Sequence, residues 1–245
     1  MLITSTTNNH IKELVKLKQS KYRYKSGLYL VEGRHLVLEA FKAGVLEELL
    51  ITEEEYFTLD TKMTSVSNEV MKVLTSLKTP TTMVGVCSIP SEIKMGKRIL
   101  CLDDIQDPGN LGTIIRSAVG FNIDTILLSS GCVDLYNEKV IRATQGMHFH
   151  ISIKKIDLKE QLIALKKEHY LIYGTNTQYG NNISKVTPPA KYALIMGNEG
   201  RGMSDAIYDL CDQMVYLDLN SKCESLNVAV ATSIILYELG KKNNE

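Results

Sequence analysis

The chain has 245 residues, 44% of them apolar and 23% charged, with 28 Lys+Arg set against 28 Asp+Glu. This is the make-up of a globular protein with enough chain for one large or two modest domains and a sizeable core. Zero net charge argues against a protein held to nucleic acid by its global field, so any RNA or DNA footprint must be local.

The first third is lopsided. Seven Lys/Arg and two Glu lie between Ile11 and Arg34, and six acidic residues with no basic ones run from Glu47 to Asp60. "NNHIKELVKLKQ" predicts a helix with Ile11, Leu14 and Val15 on one side, and "GLYLVEG" a strand. "GRHLVLEAFKAG" predicts a helix with Leu36, Val37, Ala40 and Phe41 inward and Gly44 as its stop. "LEELLIT", "KMTSVS" and "TTMVGVCSI" read as strands, with the helix "NEVMKVLTSL" between the last two. This is a small α/β domain over 1–92, and "PSEIKMGK" is its linker.

The second domain, 98–245, alternates strand and helix. "RILCLDD" is a buried strand, and 110–120 is a helix with Leu111, Ile114, Ile115, Ala118 and Val119 on one apolar stripe. There follow strand "DTILLSS", helix "LYNEKVIRATQG", strand "HISIKK", helix "DLKEQLIALKKE" and strands "YLIYGTN" and "KYALIMG". Helix "SDAIYDLC", strand "QMVYLDL" and a last helix over 225–240, apolar all round from Val228 to Leu236 apart from Thr232 and Ser233 and therefore buried, complete the chain. Such alternation predicts a mostly parallel sheet covered on both faces.

Three polar loops fall just past strand ends, where open α/β sheets place ligands. In "DDIQDPGN", Pro108-Gly109 suits the centre of a type II turn and Asn110 the cap of the next helix. Arg116 stands off the apolar stripe beside Gly112, Thr113 and Gly120, whose small side chains leave room for a close visitor. "MGNEGRGMSD" is glycine-rich but matches neither a P-loop nor a dinucleotide fingerprint, and Ser204 suits a cap. In "LNSKCESLNVAVATSIILYE", Ser221 and Glu224 fit a capping box, Ser225 is an alternative cap, and Asn227 needs a partner if buried. Upstream, "SKYRYKSG" interleaves cations with aromatics, as phosphate-holding and base-stacking surfaces do, or as a solvated edge does.

Five cysteines without C-x-x-C spacing read as buried free thiols of a reducing compartment. "MLITSTTNNHIKEL" lacks a signal-peptide core, and the longest uncharged helical run, Ser225–Tyr237, is too short to span a membrane. The expected location is cytoplasmic. The five histidines have no metal-ligand spacing, and His148-Phe149-His150 reads as strand, with a structural role for the two rings.

Taken together and in this order, "DDIQDPGNLGTIIRSA", "LIMGNEGRGMS" and "ESLNVAVATSIILYE" resemble the three motifs of the SpoU/TrmH family of RNA ribose 2′-O-methyltransferases. "KYRYKSGLYLVEGRHLVLEA" is similar to the family's substrate-binding extension. The chain departs at Tyr216-Leu217, where the family usually has a proline, and at Cys223, where Val is common. The resemblance implies an α/β methyltransferase domain with a C-terminal trefoil knot, S-adenosylmethionine as cofactor, and a homodimer without metal or membrane. It implies catalytic roles for Asn110, Arg116, Glu199, Ser225 and Asn227, and cofactor contacts at Ile195, Met196, Gly197, Gly202, Leu217 and Leu226. Lys21, Arg23, Lys25, Arg34 and Arg116 are the candidate RNA contacts of an RNA-binding N-terminal domain. The expected substrate is ribosomal RNA, 23S first. Transfer RNA, or a non-catalytic RNA-binding or ribosome-assembly protein of this fold, are the alternatives.

Overall fold

A computed structural model of the chain describes residues 2–77, 79 and 81–241. In chain order the elements are β1 (Leu2–Ile3), α1 (Asn9–Lys16), α2 (Ser20–Ser26), β2 (Leu28–Glu32), α3 (Arg34–Lys42), β3 (Leu46–Thr52), β4 (Lys62–Val66), α4 (Asn68–Leu74) and β5 (Met83–Ser88). Then come β6 (Arg98–Leu102), α5 (Pro108–Gly120), β7 (Thr125–Leu128), α6 (Glu138–Thr144), β8 (Ser152–Lys155), α7 (Leu158–Lys167), β9 (Leu171–Thr175) and β10 (Asn181–Asn182). β11 (Tyr192–Met196), α8 (Asp205–Tyr208), β12 (Gln213–Tyr216) and α9 (Val228–Lys241) follow. The chain forms two compact units. One joins the residues up to Glu92 with Asp134–His150, and the other joins Ile93–Val133 with the residues from Ile151 on.

The first unit is built on a mixed sheet in the order β1-β4-β3-β5-β2, with β5 antiparallel to both its neighbours. Successive side chains of a strand point to opposite faces, and β3 shows it. Leu50 joins Ile11, Leu14, Val70 and Leu74 under α1 and α4, whereas Leu49 and Ile51 join Tyr29, Val37, Ala40 and Ile141 on the other face. α3 buries Leu36, Val37 and Ala40, and it stops where Gly44 takes φ +72°, a left-handed conformation that suits glycine. The segment 134–150, which the sequence reading counts with the second domain, clusters here because Ile141 enters that core and Asp134 pairs with Arg23.

The basic segment is helical, as α2. Arg23 is buried. Its guanidinium donates to the carbonyls of Leu17 (2.8 Å) and Lys18 (2.9 Å) at the end of α1 and forms an ion pair with Asp134. Burial alone would raise the Asp134 pKa, but the hydrogen bond and charge of Arg23 hold it below the ordinary value. His148-Phe149-His150 is likewise not strand: residues 147–149 make a single 3-10 turn. His148 is buried, with Nδ1 2.8 Å from Thr144 Oγ1. His150 Nε2 lies 2.9 Å from Glu39.

The second unit carries a seven-stranded parallel sheet in the order β10-β12-β9-β11-β6-β7-β8. Its central strands are buried on both faces, which explains their unbroken apolar runs. Ile99, Cys101, Ala193 and Ile195 face Leu158, Leu162 and Leu165 of α7. On another part of the unit α5 packs with α9, and Ser117 Oγ lies 2.7 Å from Ser233 Oγ. The expectation that α9 is buried all round is wrong. Val230, Ile234 and Tyr237, spaced four and three residues apart, are exposed, while Val228, Ala229, Thr232, Ile235, Leu236 and Leu239 are buried. Cys223 is also exposed, unlike the buried Cys87, Cys101 and Cys132.

Candidate active site

β6 and β11 are neighbours running the same way, so the loops that follow them leave the sheet side by side. The first loop starts at Asp103, whose N–H donates to the Met196 carbonyl (2.9 Å), and turns at Asp104, which takes φ +62°. α5 begins earlier than the sequence reading has it. Pro108 occupies the first helical turn, and the cap is Asp107, whose Oδ1 accepts the Asn110 N–H at 2.8 Å. Proline lacks the N–H that a first turn leaves unpaired, and aspartate caps as well as asparagine, so the two local solutions compete. The stripe Leu111, Ile114, Ile115 and Ala118 is fully buried, with Val119 half-buried.

Relieved of capping, the Asn110 side chain turns outward. Its Nδ2 donates to Glu199 Oε1 at 2.7 Å and its Oδ1 accepts from Asn227 Nδ2 at 3.0 Å. Asn227 in turn caps α9, its Oδ1 accepting the N–H groups of Ala229 (3.0 Å) and Val230 (3.3 Å). The capping box at Ser221 and Glu224 and the cap at Ser225 are therefore not used: the helix starts three residues after Ser225. Three of the five polar candidates thus form one hydrogen-bonded row, Asn227 to Asn110 to Glu199. Arg116 and Ser225 are exposed and outside it. No hydrogen bond or ion pair holds the Arg116 side chain among the described residues. A side chain added at Gly120 beside it meets open space, whereas Gly112 is buried.

The second loop folds back on itself. Asn198 and Gly202 exchange main-chain hydrogen bonds of 2.9 Å, with Gly202 at φ +72°. Asn198 Oδ1 accepts the N–H groups of Gly200 (2.9 Å) and Arg201 (3.1 Å), and Arg201 forms an ion pair with Asp104. Ser204 heads α8, but its hydroxyl and its N–H both donate to the buried carboxylate of Asp103, each at 2.9 Å. A Cβ at Gly197 would stand 2.3 Å from the Gly202 and Met203 main chain, so glycine is required there. Ile195 and Met196 are buried beneath the loop, and their carbonyls are taken by Thr175 Oγ1 (2.9 Å) and Asp103 N–H. Leu217 and Leu226, at the two ends of the third loop, are half-buried.

Asp103, Asp104, Asn198 and Arg201 were missed by the sequence reading. The visible signal is a pair of aspartates closing a strand and an asparagine beside the first loop glycine. A groove of about 840 Å³ at the sheet edge is lined by Tyr173, Lys185, Pro188 and Tyr216, and none of the candidate residues lines it. Among the described residues no three His, Cys, Asp or Glu side chains are grouped as metal ligands. No described helix is long and apolar enough to cross a membrane.

The candidate RNA contacts of the first unit divide. Lys21, Lys25 and Tyr24 are exposed on α2, and Lys21 Nζ stands 5.8 Å from the Tyr22 ring centre. Arg23 is withdrawn from that surface by its buried pairing. Arg34 is exposed but already lies over the Phe57 ring (4.9 Å) and 3.7 Å from Glu55.

An open parallel α/β sheet whose carboxyl-end loops share a row of amides and a carboxylate has the form in which α/β proteins bind ligands, and the helix that carries Asn110 also carries Arg116, unpaired among the described residues. Residues 97–237 match the model of the SpoU rRNA methylase family, and the chain belongs to that family. Residues 8–85 match an MRM3-like substrate binding domain. A 23S rRNA (guanosine(2553)-2′-O)-methyltransferase of Bacillus subtilis strain 168, RlmP, is 37% identical over 243 residues, covering 97% of this chain and 98% of that protein. The crystal structure of an RNA 2′-O ribose methyltransferase superposes with a TM-score of 0.84 at 27% identity, covering 100% of both chains. An AdoMet-bound rRNA methyltransferase from Sinorhizobium meliloti gives 0.86 at 25% identity, covering 98% of this chain and 97% of the other.

Proposed function

We infer that this protein transfers a methyl group from S-adenosylmethionine to a ribose 2′-hydroxyl of RNA, with 23S ribosomal RNA as the substrate. The hydrogen-bonded row Asn227–Asn110–Glu199, formed at the head of the helix that also carries Arg116, is the observation that carries this reading. The rRNA substrate is carried over from the relative in Bacillus subtilis.

The residues present suit the cofactor. Glycine at Gly197 lets the loop close on its own main chain, and at Gly202 the space that a side chain would take is open. Ile195, Met196, Gly197 and Gly202 would form one side of the pocket, and the half-buried Leu217 and Leu226 an apolar wall. When bound, S-adenosylmethionine supplies a methyl group activated by its sulfonium. Arg116 binds the phosphate next to the target ribose and the alkoxide that develops at its 2′-oxygen. A guanidinium is a poor base, so its work is orientation and charge stabilisation through a planar fork. Asn110 is held in one amide orientation by its two partners, and Ser225 lines the approach.

In this reading 1–92 is the RNA-binding domain, with Lys21 and Lys25 on its RNA face, and 98–245 is the methyltransferase domain. β11 lies between β9 and β6, and the chain then crosses to β12 beyond β9 before α9 packs on α5. That path supports a trefoil knot, a rare exception to ordinary chain connection. The exposed stripe Val230, Ile234 and Tyr237 supports a homodimer through α9, and free cysteines suit the cytoplasm. The decisive experiment maps 2′-O-methylation across cellular RNA in a deletion strain and its complemented parent. Loss of one ribose methyl from 23S RNA is expected. An identical map in both strains refutes the reading.

A further inference from the structure

The geometry points to Asn198, anchored on Asp104, as a positioning residue that holds Glu199 against Asn110. This rests on the functional reading above. Glu199 sits at the tip of a five-residue turn that no regular element supports, yet its carboxylate meets Asn110 at 2.7 Å. The main-chain pair of Asn198 and Gly202 closes the turn, and the Asn198 side chain braces it from within. One end of its amide accepts from Gly200 and Arg201, on either side of which the chain must bend, and the other end donates to the Asp104 carbonyl at 2.9 Å. Both ends are thus used, which fixes the amide orientation.

Asp104 is itself fixed from several sides. Its N–H donates to Ser129 Oγ (2.9 Å), and its carboxylate accepts from Gln106 Nε2 (3.1 Å), pairs with Arg201 and lies 3.5 Å from Asn198 Nδ2. Gly131 makes the space: a Cβ there would meet the Asp104 carboxylate at 2.3 Å. A non-glycine residue at φ +62° needs such over-determination to persist. Because Asp104 opens the loop that leads to α5, the Asn198–Asp104 bond ties the segment bearing Glu199 to the segment bearing Asn110 and Arg116.

The test is Asn198→Asp, which keeps the acceptor for the two loop amides, removes the donor to Asp104, and sets two carboxylates together. Turnover is expected to fall about tenfold with KM for RNA nearly unchanged, the signature of misplacement and not of lost RNA binding. In the cofactor-free protein, amide exchange at Gly200 and Arg201 accelerates. Adding Asp104→Asn, which restores a donor between the two side chains and keeps a residue tolerant of positive φ, recovers part of the turnover. Should Asn198→Asp fail to fold, Asn198→Ser, whose shorter side chain keeps an acceptor for the loop amides but does not reach the Asp104 carbonyl, carries the same measurements. Turnover within twofold of the parent, or unchanged exchange at both amides, overturns the proposal. A parent protein that methylates no RNA refutes the functional reading instead, while the exchange arm still decides whether Asn198 and Asp104 hold the turn.

Discussion

Asn227 does two jobs that a pair of substitutions separates. Its Oδ1 caps α9 through Ala229 and Val230, and its Nδ2 orients Asn110. Asn227→Ala removes both. Loss of an N-cap costs about 1 kcal/mol, which in a chain of this size lowers Tm by roughly 2–4 °C. Asn227→Ser keeps an oxygen that caps nearly as well, so its Tm stays within about 1 °C of the parent. Both variants lose the donor at 3.0 Å from Asn110 Oδ1, leaving that amide free to rotate away from Glu199. A neutral hydrogen bond is worth about 1 kcal/mol net, so turnover falls roughly fivefold in both. The assays are calorimetric melting of the free protein and methyl transfer at saturating RNA and cofactor. Parent-like turnover in Asn227→Ser refutes the linkage of cap to site. So does an unchanged Tm in Asn227→Ala.

Arg116→Lys keeps the charge and loses the fork, so turnover drops by about two orders of magnitude while RNA affinity by filter binding changes little. Arg23→Met strands the Asp134 carboxylate and uncaps α1, costing about 3 kcal/mol in denaturant unfolding without altering the salt dependence of RNA binding. The double variant Lys21→Ala/Lys25→Ala does the reverse, leaving stability alone and flattening the salt slope by roughly 1–2. Burial lowers the His148 pKa to about 3. The unfolded chain therefore binds the extra proton first, and stability declines by about 1.4 kcal/mol per pH unit as pH falls from roughly 6.5. Acid titration of unfolding in His148→Gln should lack that component.

Periodicity in the chain determined the repeating pattern of elements. Strands such as "RILCL" and "YALIM" are legible because a strand buried on both faces needs an unbroken apolar run, and α5 because its stripe recurs at helical spacing. The three polar loops are legible as loops for the same reason. Where local solutions compete, the sequence left the choice open. Asp107 and Asn110 are both good caps, and only the fold shows that Asp107 caps so that Asn110 is free to bridge Glu199 and Asn227. Those partners lie 89 and 117 residues away in the chain, beyond any local signal. Glu199 arrives because β11 pairs beside β6, and Asn227 because α9 packs on α5. Arg23 looks like one more cation of a basic run until Asp134, 111 residues on, removes it from the surface. The exposed stripe of α9 is equally hidden in a helix that reads apolar on every side. Hydrophobic spacing is a property of neighbours along the chain, whereas a side chain's hydrogen-bond partner is a property of sheet order, and that is settled only when the strands assemble.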